Sequence, residues 1–445
     1  MDERASAAGP LPILRIWRHR NYALFVAGVT PHFTTSWVQR VGVGWLAWEL
    51  THSTVWLGAV ATADLAPILV LAPFAGAVTD RIDPLWLSRV SQVFLVLQAA
   101  VLAGLFAAGL VTVELLLALS LATGIIQPFA QSSRIKLLPA LVSRDDFAAA
   151  VALDSVCFHG SRFVGPAIAA FLIPAAGVGG TFIAHVIGAS VYMALLLAIT
   201  VPAPEQRVDR HHNILLEVKE GLVYVRGHSG IAPVFLMLIV VSLFVRPVQD
   251  MLPGFAGDVF RSGAVGLAWL TCSMGAGAMI ASAAVATRGR VHGLTHALVL
   301  GCLGLAAAVA GLVATDNLWV GVVFAALSGF ALNGMSTSIQ VLVQSAVSEE
   351  MRGRVMSLYI VIFRGSPAAG ALVIGLLAEQ FGLRITFAMA AALCFATWLA
   401  MARRRHAIAN SLEETEPNRQ PNPIRAQDPP ESSTTARPSK AERGT

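Results

Sequence analysis

Charge is what this chain has least of. Asp, Glu, Lys and Arg make up 13% of its 445 residues, against about 25% in an ordinary soluble domain. That shortage argues against a protein solvated by water on all sides. Cysteine is scarce too. Cys157, Cys272, Cys302 and Cys394 are the only four, all in apolar runs, without metal-ligand spacing or a secreted disulfide pattern, so they read as small core residues. The chain has no P-loop, no HExxH and no GxSxG. Their absence argues against an ATP-driven pump within this chain and leaves no assembled nucleophile or metal centre, so no enzyme activity and no cofactor are expected. His211-His212 lacks further ligands and is not read as a metal site.

Apolar residues fill the gap, at 56% of the chain. They fall into twelve runs of about 20 residues, each long enough to cross a ~30 Å hydrocarbon core as a helix. The long solid runs exclude a β-barrel, which shows short alternation instead. The expected fold is an all-α polytopic membrane protein with twelve transmembrane helices. The opening MDERASAAGPLPILRIWRHRN has no short apolar core with a small-residue cleavage site and does not read as a signal peptide. Arg15, Arg18 and Arg20 precede the first run, and nearly all other Lys and Arg outside the runs fall on the same side, so both termini are expected in the cytoplasm. The net charge of +5 is read as topology and anionic-lipid contact, with no nucleic-acid partner.

The chain also repeats itself. At an offset of 205 residues, Val142-Ser143 lies over Val347-Ser348, Gly160-Ser161 over Gly365-Ser366, and Gly165 over Gly370; upstream, Gly124 lies over Gly329. One register holding over about sixty residues predicts two pseudo-symmetric six-helix halves, inserted the same way up. The expected organisation is a cytoplasmic N-terminal segment (1–21), a first half (22–202), a linker with an interfacial helix (203–230), a second half (231–402) and a disordered tail (403–445). In the linker, Ile214, Leu215, Val218, Leu222 and Val225 share one helical face. The tail is polar and Pro-rich, with almost nothing to bury.

Four arginines, Arg40, Arg162, Arg246 and Arg364, fall inside predicted spans. Each costs about 2.5–3.5 kcal/mol at a helix centre, so each needs a partner or a water-filled cavity. Asp64 is the expected partner of Arg40. Arg40 stands nine residues before Glu49 and Asp64 nine after Val55, so both lie about 14 Å in from the same turn. Whether this is a structural ion pair or a proton or substrate site stays open. His32 and His159 lie near the midplane and titrate near neutral pH, which suits proton coupling. Arg162 follows His159 by three residues, on one helical face. Gln39, Gln127 and Asn333 are candidates for hydrogen bonds to a ligand. Asp154 and Asp250 read as capping or lining groups near the two mouths.

Between spans two and three, GAVTDRIDPLWLSR places Gly76, Asp80, Arg81 and Arg89 at a cytoplasmic turn. Asp83-Pro84 is a helix start, with Asp as N-cap and Pro at the first helical position. Gly76 suits close helix approach, and the Asp80 carboxylate can point at the N-terminus of another helix. Gly-x-x-x-Asp-Arg after span two resembles the loop signature of the major facilitator superfamily. LLPALVSRDDFAAAVALDSVCFHGSRFVGPAIAA (137–170), EGLVYVRGH (220–228) and RPVQDMLPGFAGDVF (246–260) are similar to its drug and siderophore exporter branch, which is enterobactin exporter-like. The resemblance covers about 13 to 402. It implies the major facilitator fold, a bacterial inner membrane and alternating access. It implies a proton-coupled exporter of a small organic molecule such as a drug or siderophore, driven by the proton motive force, with lipid as the other partner and the monomer as the working unit. It places Asp80 and Arg81 at an inner gate. The chain departs from the signature after Arg81, where Arg89 stands in for the usual arginines, and it lacks an arginine early in span four. Uptake or lipid flipping by the same fold, and a membrane receptor or scaffold without transport, remain alternatives. The arginines suit an acid-bearing substrate.

Overall fold

The computed structural model describes residues 15–201, 214–288 and 292–413. These residues are helical almost throughout. The first four long helices are α1 (Arg20–Thr51), α2 (Thr54–Arg81), α3 (Pro84–Ala107) and α4 (Val113–Leu141). Phe147–Ala198 follows, interrupted at Gly177, whose φ of 69° and ψ of −179° only glycine adopts without strain. The interruption divides it into α5 (147–176) and α6 (178–198). Next come α7 (Ile214–Gly227) and α8 (Ile231–Val259), the latter carrying π-helical turns at Val241–Val245 and Phe255–Val259. The last five are α9 (Gly263–Arg288), α10 (Leu294–Ala314), α11 (Leu318–Ala346), α12 (Glu349–Phe381) and α13 (Leu383–Glu413).

Ten helices among the described residues are long and apolar enough to cross a membrane, with Arg144–Ala198 counted once. α1 is as long as these but more polar, because Thr34, Thr35, Ser36, Gln39 and Arg40 sit in its middle. Local chemistry sets several helix ends. Asp83 accepts from the Leu85 amide at 3.0 Å with Pro84 at the first position, as expected. Asn317 accepts from the Trp319 and Val320 amides at the start of α11.

Packing runs mainly within two sets of helices. α1 lies along α5 and α6, α2 on α4, and α3 between α4 and α6; α9 packs on α11, and α10 on α11 and α13. The two sets meet chiefly along α2 with α12 and α5 with α9. The α2–α12 contact is tight near the 52–53 turn. Thr54 Oγ1 donates to the Gly375 carbonyl and Thr62 Oγ1 to the Ala368 carbonyl, both at 2.8 Å. A side chain at Gly375 would stand 2.6 Å from the Thr54 carbonyl, so only glycine permits this approach. Toward the 82–83 turn the contact thins beyond Leu69, which still meets Gly365, and Val70 and Phe74 of α2 are exposed. No hydrogen bond joins residues 70–80 of α2 to α12 among the described residues, and Gly76 and Gly353 face open space.

Two expectations change, and the linker helix gains a partner. Gly76 does not mark a close helix approach, because nothing lies within 4 Å of where its side chain would be. The linker helix forms over Ile214–Gly227, but it packs on α12: Glu220 pairs with Arg354 at 2.8 Å, and Val225 is buried while Leu222 is exposed. The side chains of residues 214–219 lie outside the description. The segment from 403 to 413 is not a disordered tail. It continues α13, burying Ile408 and Leu412 one turn apart, and Glu413 accepts from the Gly293 and Thr295 amides at 2.5 and 2.6 Å. The Pro-rich composition that suggested disorder begins only after it; residues 414–445, the first 14 residues, and His211-His212 lie outside the described residues.

Candidate functional site

The polar residues of α1 face inward because α1 is surrounded by α2, α5, α6 and α8. With α2, α3, α4 and α6 they enclose a cavity of about 370 Å³, which reaches Gln249 and Asp250 on α8 and Arg364 on α12. A second space of about 20 Å³ lies between Arg162, Arg246 and Asn333.

Arg40 is the hub. Its guanidinium donates to Asp64 Oδ2 at 2.8 Å, as the level count predicts, and to Asp250 Oδ1 at 3.2 Å. Asp250 is therefore not a group at the outer mouth; α8 brings it to the depth of Arg40. The signal was present, since Asp250 stands nearly as far from the 260–262 turn as Arg40 does from the 52–53 turn. Two carboxylates on one guanidinium, all three part-buried, offset the desolvation that an unpaired charge would suffer there. Trp37 takes both Arg40 and Arg162 over its ring, at 5.5 and 5.4 Å.

The other span arginines meet neutral acceptors. Arg162 donates to Gln249 Oε1 at 2.7 Å. Arg246 donates to the Phe363 carbonyl at 2.9 Å and stacks over the Phe363 ring at 4.1 Å. Arg364 donates to Gln131 Oε1 at 2.9 Å. His159 is exposed, its ring meets the Phe158 ring edge-on at 5.4 Å, and no hydrogen bond to it is found among the described residues, while Arg162 turns toward Gln249 on α8. Asn333 ties α11 to α9 by donating to the Ala278 carbonyl at 2.9 Å and to Ser282 Oγ at 2.6 Å. Gln127 lines the large cavity. So does Gln39, whose buried Oε1 has no hydrogen-bond partner among the described residues.

His32 lies in a cluster that the sequence reading only half found. It contacts Gln92 Nε2 at 3.5 Å, and its ring lies 5.5 Å from that of His185 and 5.4 Å from that of Tyr192. His185 Nδ1 lies 3.2 Å from Thr35 Oγ1. A lone histidine in the apolar run of α6 was the available signal. Arg134 was missed as well. It lies inside α4, holds Asp154 through two contacts of 2.5 and 2.7 Å, and covers the Phe33 ring at 5.0 Å. Asp154 is therefore an ion-pair partner, not a cap.

At the 82–83 end, Asp80 pairs with Lys136 on α4, and Lys136 also reaches the Gly76 carbonyl at 3.3 Å. The partner is a side chain, not the helix N-terminus expected from the sequence. Arg81 is exposed at the same end. Arg89 does not join Asp80. It donates to the Leu196 and Ile199 carbonyls at the end of α6, at 3.1 and 2.7 Å, which satisfies helix C-terminal acceptors. At the opposite end, Glu379 on α12 accepts from Ser53 Oγ at 3.0 Å and from the Thr54 amide at 2.9 Å. This carboxylate caps the N-terminus of α2 from across the two helix sets.

Known proteins share this architecture. The nucleoside transporter NupG superposes with a TM-score of 0.68 at 13% identity, over 86% of this chain and 98% of that one. A POT family transporter in complex with 5-aminolevulinic acid gives 0.68 at 11% identity, over 88% and 96%. In sequence, the staphyloferrin A transporter of Staphylococcus aureus is 24% identical over 360 residues, covering 80% of this chain and 89% of the relative. The multidrug efflux pump Tap of Mycolicibacterium fortuitum is 24% identical over 358 residues, covering 78% and 86%. The family model described as transmembrane secretion effector matches residues 16–432, nearly the whole chain. The chain belongs to this family of major facilitator superfamily transporters, a family of transporters and not of enzymes.

Proposed function

We propose that the protein is a secondary active transporter that exports a small organic molecule in exchange for protons. The observation that carries this reading is a layer of charged side chains around a cavity, between helix sets tied at the 52–53 end and in thinner contact toward the 82–83 end. Twelve spans in two related halves would rock about that layer, with both termini and the basic loops on the cytoplasmic side of the inner membrane. The drug and siderophore transporters among its relatives support an organic substrate.

Asp64 and Asp250 are the coupling carboxylates in this scheme. When the site opens to water and Arg40 is drawn toward substrate, one carboxylate loses its counter-charge and takes a proton. Asp80 and Lys136 lie at the inner gate and Glu379 at the outer one. The test is transport by the purified protein in proteoliposomes holding a pH-sensitive dye, under an imposed proton gradient, with a panel of organic acids, siderophores and lipophilic drugs. A compound that moves protons with wild type, and no longer does so with Asp64→Asn, is the expected result. Compounds that cross without proton movement would replace antiport with uniport or flipping, and a panel that does not cross at all would favour a receptor or scaffold.

A further inference from the structure

We propose that the transporter's ligand is an organic dianion carrying a hydrogen-bond donor, held by Arg162, Arg246 and Arg364. The proposal rests on the transport reading for its purpose, and on three separate observations for its chemistry.

The first is charge. Around the two cavities, Arg40, Arg134, Arg162, Arg246 and Arg364 face only Asp64, Asp154 and Asp250. Arg40 absorbs two of the carboxylates and Arg134 the third. No carboxylate lies within ion-pair distance of Arg162, Arg246 or Arg364 among the described residues. The layer is left two positive charges in excess, at a depth where each unpaired charge is costly. A ligand bearing two negative charges neutralises it.

The second is unused donor capacity. A guanidinium has five N–H donors. Arg162, Arg246 and Arg364 each make one hydrogen bond, to the side-chain amide of Gln249, the Phe363 carbonyl and the side-chain amide of Gln131. These acceptors are neutral, and two of them are on flexible side chains that a carboxylate can displace. Charge-assisted, forked contacts to a carboxylate are about twice as strong as the amide contacts they would replace. The arginines come from α5, α8 and α12, so a dianion would bridge the two helix sets.

The third is the larger cavity beside them: Arg364 lines it, Arg162 and Arg246 line the space of about 20 Å³, and Gln249, the acceptor for Arg162, lines the larger one. At about 370 Å³ it is far larger than an inorganic oxyanion needs. Gln39 is 8% exposed and lines that cavity, and its side-chain oxygen, itself shielded from the open space, has no hydrogen-bond partner among the described residues. A buried acceptor left open is costly, and a turn of the Gln39 side chain toward the cavity offers it to a ligand N–H or O–H.

The experiment uses the full chain, purified in detergent, with four probes: N-acetylglutamate (a dianion with an amide N–H), glutarate (a dianion without one), the neutral dimethyl ester of N-acetylglutamate, and the tetraphenylphosphonium cation. Thermal unfolding and a binding titration are read for each. N-acetylglutamate is expected to stabilise most, glutarate less, and the ester and the cation not at all. Arg162→Gln or Arg364→Gln should each weaken N-acetylglutamate by about tenfold, the loss of one charge-assisted contact. Arg364→Lys, which keeps the charge, should lose less, and this separates ligand binding from general damage to the fold. Gln39→Leu should erase the advantage of N-acetylglutamate over glutarate. Equal binding of ester and dianion, or binding of the cation alone, overturns the proposal. So does the absence of any dianion effect at about 10 mM, where even a millimolar ligand saturates. No gradient is involved, so failure of the antiport reading in proteoliposomes leaves this result standing, and a neutral or cationic ligand here leaves the transport cycle standing.

Discussion

Arg40 carries one charge against two carboxylates, and that asymmetry decides how the site responds to mutation. Asp64→Asn or Asp250→Asn leaves the guanidinium with one acidic partner. The double variant leaves it with none, and stranding a buried charge costs about 3–5 kcal/mol. The midpoint of thermal unfolding in detergent should therefore fall more for the double variant than the two single falls added together, and Arg40→Met in the same background should recover part of the loss. Simple additivity would mean that water already solvates Arg40. Trp37 is the other residue with two roles, since Arg40 and Arg162 both lie over its ring. Trp37→Leu removes both contacts, each worth about 0.5–2 kcal/mol. It should lower the unfolding midpoint more than Trp37→Phe, which keeps an aromatic face.

Among the helices, the contact between α2 and α12 is the one that distinguishes the two ends of the molecule. Glu379 caps the start of α2 where the pair is closed. Asp80, at the far end of α2, pairs within its own helix set where that contact has thinned. An N-cap is worth about 1 kcal/mol, and 1 kcal/mol shifts a two-state population about fivefold. A Ser53→Cys variant should accordingly react with a membrane-impermeant maleimide about fivefold faster when combined with Glu379→Gln; an unchanged rate would mean that helix packing alone holds the end shut. The end of α13 offers a second test. Truncation after 402 removes Ile408, Leu412 and Glu413, which are packed, whereas truncation after 413 keeps them. Burying the two side chains is worth about 1.5–3 kcal/mol each, so the shorter protein should unfold at a clearly lower temperature than the longer one.

At the scale of the whole molecule, alternating access requires the closed end to open. Ser53 Oγ donates to Glu379 Oε2 at 3.0 Å across the two helix sets. Ser53→Cys combined with Glu379→Cys should be bridged by a short bifunctional methanethiosulfonate and lose transport, and reductant should restore it. Transport that persists in the cross-linked protein would show that the two sets do not separate there. Much of this organisation was legible in the chain. The shortage of charge and the long apolar runs announce membrane helices directly, because a helix in lipid must satisfy its backbone internally and cover itself with apolar side chains. The arginines stood out for the same reason: each is costly in that setting and so marks a site. The Arg40–Asp64 pair could be found by counting, since a short turn holds two neighbouring helices level. The other partners could not. Asp250 is 210 residues from Arg40, Gln249 is 87 from Arg162, and Gln131 is 233 from Arg364. No local count relates such positions, because rotation and depth of one helix against a distant one are set by packing. Residue order alone determined that charges would lie within the helical layer. Only the tertiary structure decided that two carboxylates would share Arg40 and that Arg162, Arg246 and Arg364 would face neutral oxygens, because the closest approach of helices far apart in the chain selects which side chains meet.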